Sequence, residues 1–120
     1  MQYMLLIYTD EAEWESRSDD ERQALYREYS RLSDDLRARG KLVSAEELAS
    51  ATTATSVQVR DGETLVSDGP FAETKEVLGG YYLIDVETLD EAIEWAAKIP
   101  SARLGRIEVR PAVTDYETVA

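Results

Sequence analysis

A chain of 120 residues fits one domain with a single core. Its 43% hydrophobic and 32% charged residues are ordinary globular composition, and a net charge of −12 argues against a nucleic-acid-binding face and disfavours an anionic membrane surface. With neither cysteine nor histidine, disulfides, thiolate zinc sites, cysteine nucleophiles and histidine acid–base catalysis are excluded, so proton transfer would fall to Asp, Glu, Lys or Tyr.

Tyr3-Met4-Leu5-Leu6-Ile7-Tyr8 is a six-residue apolar run of strand length. It does not alternate, which predicts cover on both faces. Residues 1–8 are too short for a signal segment and no run reaches transmembrane length, so a cytoplasmic protein is expected. Thr9 to Arg17 reads as a polar loop with Trp14 tucked down. Ser18 and Glu21 form a capping box that opens a helix to about Arg39, with Leu25, Tyr29, Leu32 and Leu36 on one face and Gly40 as its stop. Lys41 to Glu47 is a weaker strand, and Leu48 to Thr55 a loop. Val57 and Val59 alternate with polar residues, Asp61-Gly62 turns the chain, and Thr64-Leu65-Val66 returns as a hairpin.

Asp68-Gly-Pro-Phe-Ala-Glu-Thr-Lys-Glu76 is a forced turn, because Pro70 has no N–H and restricts Gly69. Phe71 is expected to anchor it in the core. Val77 to Val86 is the next strand, and Gly79-Gly80 marks a bulge or a close backbone approach. Thr88 and Glu91 open a second helix to Lys98 or Ile99 that buries Leu89, Ala92, Ile93, Ala96 and Ala97, with Pro100 at its end. Ile107 and Val109 alternate in a last strand stopped by Pro111, and the tail from 112 to 120 is loose or reaches a neighbour.

The order β-α-β-(hairpin)-β-α-β predicts an α+β, ferredoxin-like domain over residues 1–111, an antiparallel sheet with two helices on one face. The second face is most simply buried by another copy, as a face-to-face homodimer. The alternative is that the hairpin or the tail covers it.

The Asp68–Glu76 segment resembles the DGPF-type branch of the YCII-related family. The opening strand Met1–Tyr8, Leu78-Gly-Gly-Tyr-Tyr-Leu-Ile84, Glu94-Trp-Ala-Ala97 and Ile107-Glu-Val-Arg-Pro111 also resemble that family, in the same order. The resemblance implies a dimeric α+β barrel. It implies two kinds of function: isomerase- or dehalogenase-like chemistry by analogy to distant relatives, or a regulatory role beside a sigma factor of the extracytoplasmic-function type. Family members with a His–Asp pair differ from this chain, which holds Ile99 and Leu104 where many carry Cys and His.

Candidate residues follow from these readings. Asp68 either caps its turn or, over an apolar inner face, acts as a general base for proton abstraction from a small organic acid. Glu73, Lys75 and Glu76 form either an ion-pair network or an anion clamp centred on Lys75. Tyr3, Tyr8, Tyr81 and Tyr82 lie on neighbouring strands as core rings or cavity walls, and Arg110 pairs with Glu108 or reaches a ligand carboxylate. Gly79-Gly80 lacks the phosphate-loop pattern, and the acidic runs lack calcium-loop spacing, so no cofactor and no metal are expected. A small-molecule-binding barrel and a non-catalytic interaction module both stay open.

Overall fold

The computed structural model describes residues 1–114. Strand β1 (Gln2–Thr9) is central and pairs antiparallel with β5 (Val77–Asp85) on one side and β6 (Arg106–Pro111) on the other, while β2 (Leu42–Glu47) pairs with the outer edge of β5. The order β2-β5-β1-β6 interleaves two split β-α-β units, as expected of a ferredoxin-like α+β fold. Their connecting helices are α2 (Asp19–Ala38) and α3 (Leu89–Lys98), the latter packed behind β1 and β6.

The local signals act as the residue types require. Ser18 accepts from the Glu21 amide at 3.1 Å and Thr88 from the Glu91 amide at 3.2 Å, so both helices start at side-chain caps. Gly40 takes φ +69°, and the Gly40 and Lys41 amides donate to Arg37 and Leu36 carbonyls at 3.0 and 2.9 Å, closing α2 with a Schellman motif. Asp61 and Gly62 both have positive φ, the mark of a type I′ turn, between β3 (Thr55–Arg60) and β4 (Glu63–Asp68).

Residues 10–16 depart from the expected loop. Asp10 accepts from the Ala12 amide at 3.0 Å and caps a one-turn helix, α1 (Glu11–Glu15), whose Trp14 meets the edge of Tyr26 with ring centroids 5.5 Å apart. A cap residue and one aromatic contact suffice for so short an element.

The core lies between the sheet and α2 and α3. Leu5 and Ile84 are fully buried, with Tyr3, Ile7, Tyr82, Leu32, Leu36, Ala92, Trp95, Ala96 and Ile99 around them. The buried face of α3 differs from the expected one. Ala92 and Ala96 are buried as expected, but Leu89, Ile93 and Ala97 face outward, with Ile93 48% exposed, and Trp95 and Ile99 join Ala92 and Ala96 on the inner face. Both sets have helical spacing, and the area of the Trp95 ring decides which is buried. The Lys98 ammonium then lies 4.4 Å from that ring's centroid.

Burial along β1 alternates although its sequence does not. Tyr3, Leu5 and Ile7 point to the helices, and Met4, Leu6 and Tyr8 to the other face, where the register places Tyr81, Leu83 and Arg110 beside them. Among the described residues no element covers this second face. The hairpin does not cover it: β3 and β4 form a separate two-stranded sheet in which all of β4 is exposed. The radius of gyration is 16.5 Å, against roughly 13–14 Å for a compact chain of this length. The tail expectation lies largely outside the described residues, but the Ala112 amide still donates to Gln2 O at 2.9 Å.

Phe71 also departs from expectation. It is 95% exposed, because the hairpin carries the following turn away from the sheet and no core lies within its reach.

Gly79-Gly80 does both things the sequence suggested. The β1–β5 register shifts between Ile7 and Tyr8, opposite this pair, and a Cβ on Gly80 would stand 2.7 Å from the Glu46 carbonyl oxygen. Gly80→Ala is therefore expected to push β2 off β5 and cost roughly 1–3 kcal/mol of stability, read as a lower denaturant midpoint. A midpoint equal to that of the parent chain would show that the close approach is not needed.

Candidate functional site

Helix α2 presents Tyr26, Tyr29 and Ser33 at steps of three and four, beside its buried leucines. Strand β2 brings Ala45 and Glu47 to the same side, β5 brings Gly80 and Tyr82, and β1 brings Ile7. Helix α1 adds Glu11, Trp14 and Glu15, and the short 3-10 turn Pro100–Ala102 adds Ser101. These side chains enclose a cleft of about 500 Å³ between the helices and the β2 edge of the sheet. That volume lies within the range of small-molecule sites, roughly 300–1,000 Å³. Glu46 and Tyr81 also border it, but their register points their side chains to the open face, so they meet the cleft with backbone.

The floor is a hydroxyl network. Tyr29 bonds Ser101, the one buried polar residue among those described, and the Tyr82 and Ser33 hydroxyls lie 2.9 Å apart. The Tyr29 and Tyr82 rings are parallel, with centroids 6.5 Å apart. At the mouth, Tyr26 donates to Glu47 Oε1 at 2.9 Å, and Glu11 accepts from Ser50 Oγ at 2.8 Å and from the Ala51 amide at 2.7 Å. Glu11 thereby ties α1 to the loop after β2 and fixes one wall.

Burial raises the Tyr29 and Tyr82 pKa values, and the bonds to Ser101 and Ser33 oppose that only in part. Burial also raises Tyr26, aided by its bond to Glu47. All three phenols therefore keep their protons well above neutral pH. The groups able to take a proton in the cleft are the carboxylates.

The residues singled out by sequence are distributed differently from this cleft. Tyr82 stands in its floor. Asp68 ends the exposed strand β4, and Glu73 and Lys75 are exposed in the segment that follows; none of the three lines the cleft. Among the described residues no hydrogen bond joins the Asp68 carboxylate to its turn. Gly69, at φ +87°, is held by its amide on the Ala54 carbonyl at 2.7 Å and by the Ser56 hydroxyl on its own carbonyl at 2.8 Å. Tyr8 borders a shallow depression on the sheet with Glu76 and Arg106, which pair at 3.3 Å. Arg110 lies on the open face, 4.0 Å from Glu108. Among the described residues no group of three or more carboxylates is placed to hold a metal ion, and no helix is long and apolar enough to cross a membrane.

Sequence reasoning passed over Tyr26, Ser33, Glu47, Ala45, Trp14 and Ser101. One signal was present: Tyr26, Tyr29 and Ser33 run as a hydroxyl stripe next to the leucine face of α2, and hydroxyls so placed border a polar cavity or a buried bond.

Residues 1–115 match the YCII-related domain family. An uncharacterized protein of Rhizobium meliloti (strain 1021) is 41% identical over 113 residues, covering 92% of this chain and 91% of that protein. The chain belongs to the YCII-related family.

The raised tyrosine pKa values have a measurable consequence. Each proton is held more tightly in the folded chain than in the unfolded one. The resulting stability is whole below the unfolded pKa of about 10 and is lost as pH climbs through the folded values. In a tyrosinate absorbance titration, Tyr29 and Tyr82 are expected to ionise after the exposed tyrosines and together with loss of near-ultraviolet dichroism. A single early step with the native spectrum retained would contradict their burial.

Proposed function

We propose that this YCII-related chain works as a homodimer holding one small-molecule-binding cleft in each subunit. The observation that carries the reading is the cleft itself, with an aromatic and hydroxyl-lined interior and a mouth braced by α1. Gly80 supports the same reading, since its missing side chain lets β2 approach closely enough to form the wall. Binding is the function favoured. Any acid–base chemistry in the cleft would rest on a carboxylate there, Glu47 or Glu15, since Asp68 lies outside it.

The dimer is supported by the open sheet face. Met4, Leu6, Tyr81 and Leu83 form its centre, half-buried and covered by none of the described elements, and Glu46 on β2 and Arg106, Glu108 and Arg110 on β6 form its edges. An apolar centre with a charged rim is the anatomy of a protein interface. The β3–β4 arm adds Val57, Val59, Val66 and Phe71, all exposed. Asp68, Glu73 and Lys75 stand exposed at the end of this arm and in the segment after it.

Light scattering is expected to give twice the chain mass of 13.5 kDa, and Leu6→Glu, which places a charge at the centre of the open face, is expected to give the single mass with helix content retained. A single-chain mass for the parent at micromolar concentration would remove the homodimer and assign the arm to a different partner, the interaction-module reading. For the cleft, the purified chain is expected to show a bound small molecule by native mass spectrometry. Ala45→Trp, which fills the cleft, should lose it. Retention by Ala45→Trp would place the molecule elsewhere.

A further inference from the structure

We infer that the cleft takes a small organic cation, an ammonium group on an apolar body, rather than an organic acid. This rests on the cleft being a binding site and adds the charge and orientation of what it binds.

The first observation is the charge of the lining. Glu11, Glu15 and Glu47 contribute carboxylates, and no Lys or Arg lines the cleft. Nine ion pairs join the described residues, and none of them uses Glu11, Glu15 or Glu47. Arg22, beside α1, is directed elsewhere: it donates to the Trp14 and Glu15 carbonyls at 3.5 and 3.1 Å and pairs with Asp19. An anion entering here meets three like charges and no counter-charge. A cation meets three carboxylates, of which Glu15 and Glu47 are exposed at the mouth, so the attraction there is open to screening by salt.

The second observation concerns donors. An acid needs hydrogen-bond donors, and several of those in the cleft are already engaged. Tyr26 donates to Glu47, Tyr29 bonds Ser101, and the Tyr82 hydroxyl bonds Ser33. The Ser50 hydroxyl and the Ala51 amide both donate to Glu11. Acceptor capacity is left over at the carboxylate, because Glu47 binds Tyr26 through Oε1 and its second oxygen has no partner among the described residues.

The third observation is the aromatic arrangement. Trp14 and Tyr26 meet edge to face at the mouth, beside Glu47, and π-faces next to a carboxylate are the surroundings that hold ammonium groups. Deeper in, Ile7, Ala45 and the Tyr29 and Tyr82 rings are apolar. The cation therefore sits at the mouth, between Glu47 and the Trp14–Tyr26 pair, with its body against the floor. Glu11, with both oxygens engaged, braces the wall; Glu47 is the recognising carboxylate.

The test uses three probes of similar shape and different charge: benzyltrimethylammonium, benzyl alcohol and phenylacetate, titrated into the full chain and followed by amide and indole NMR shifts. The cation is expected to shift the Ala45 and Gly80 amides and the Trp14 indole, and to bind at least about tenfold tighter than phenylacetate. Added salt should weaken it. Glu47→Gln is expected to weaken the cation about tenfold and leave benzyl alcohol unchanged. Glu46→Gln, whose side chain points to the other face, should change neither. Equal or tighter binding of phenylacetate, or a Glu47→Gln chain that holds the cation as well as the parent, overturns the inference. If benzyl alcohol or phenylacetate shifts the cleft amides and the cation does not, the cleft stands as a binding site and its charge preference falls. If none of the three shifts them, both fall.

Discussion

Leu5 lies opposite Tyr82 and Tyr3 opposite Ile84 across the β1–β5 pair, and this register decides where the other side chains can go. It sends one set of each strand into the helices and leaves Met4, Leu6, Tyr81 and Leu83 on the open face. A slip of β5 by one residue would exchange its two sets, moving the fully buried Ile84 into the open and taking Tyr82 out of the cleft. The cost of exposing those side chains, roughly 1.5–3 kcal/mol each, is what holds the register in place. The bulge at Gly79 and the bare Cα of Gly80 then fix the end of the pair, where β2 must come close for Glu47 to reach the mouth.

Much of this was legible locally. The caps at Ser18 and Thr88, the stop at Gly40 and the Asp61-Gly62 turn each depend on one residue type meeting one backbone requirement, and such requirements are visible within a few positions. The strand order followed because two split units leave few other arrangements. Where two local patterns competed, sequence was a weaker guide. Leu89, Ile93 and Ala97 have helical spacing as good as that of Ala92, Trp95, Ala96 and Ile99, and only packing against β1 and β6 distinguishes the faces. Phe71 misled for a related reason: a lone phenylalanine favours burial, but burial needs a core within reach, and the hairpin removes it.

The cleft was the least legible part because its residues come together only in three dimensions. Tyr29 and Ser101 are 72 positions apart, Tyr82 and Ser33 are 49 apart, and Glu11 and Ala51 are 40 apart. None of these pairs has a spacing signature. The charged segment at 68–76 was conspicuous by comparison, being dense in ionisable groups over nine residues. Density in sequence marked a turn; the cleft was assembled from sparse residues on six elements.

The Asp68–Glu76 segment is best understood through its attachments. Gly69 is clamped to the start of the hairpin by two hydrogen bonds, on Ala54 and Ser56, and Thr74 Oγ1 donates to the Glu76 carbonyl at 2.7 Å just before β5 begins. Between these fixed ends Phe71 stands almost wholly in solvent. A chain gains nothing from holding so large an apolar ring in water on a fixed turn, unless the ring is buried in the working assembly. The same reasoning applies to Val57 and Val66, which face each other across the arm. The open sheet face and the exposed arm therefore belong to one argument. Among the described residues the chain completes its helix-side core and its cleft and leaves the sheet face and the arm uncovered, and those two surfaces are what support the homodimer proposed above.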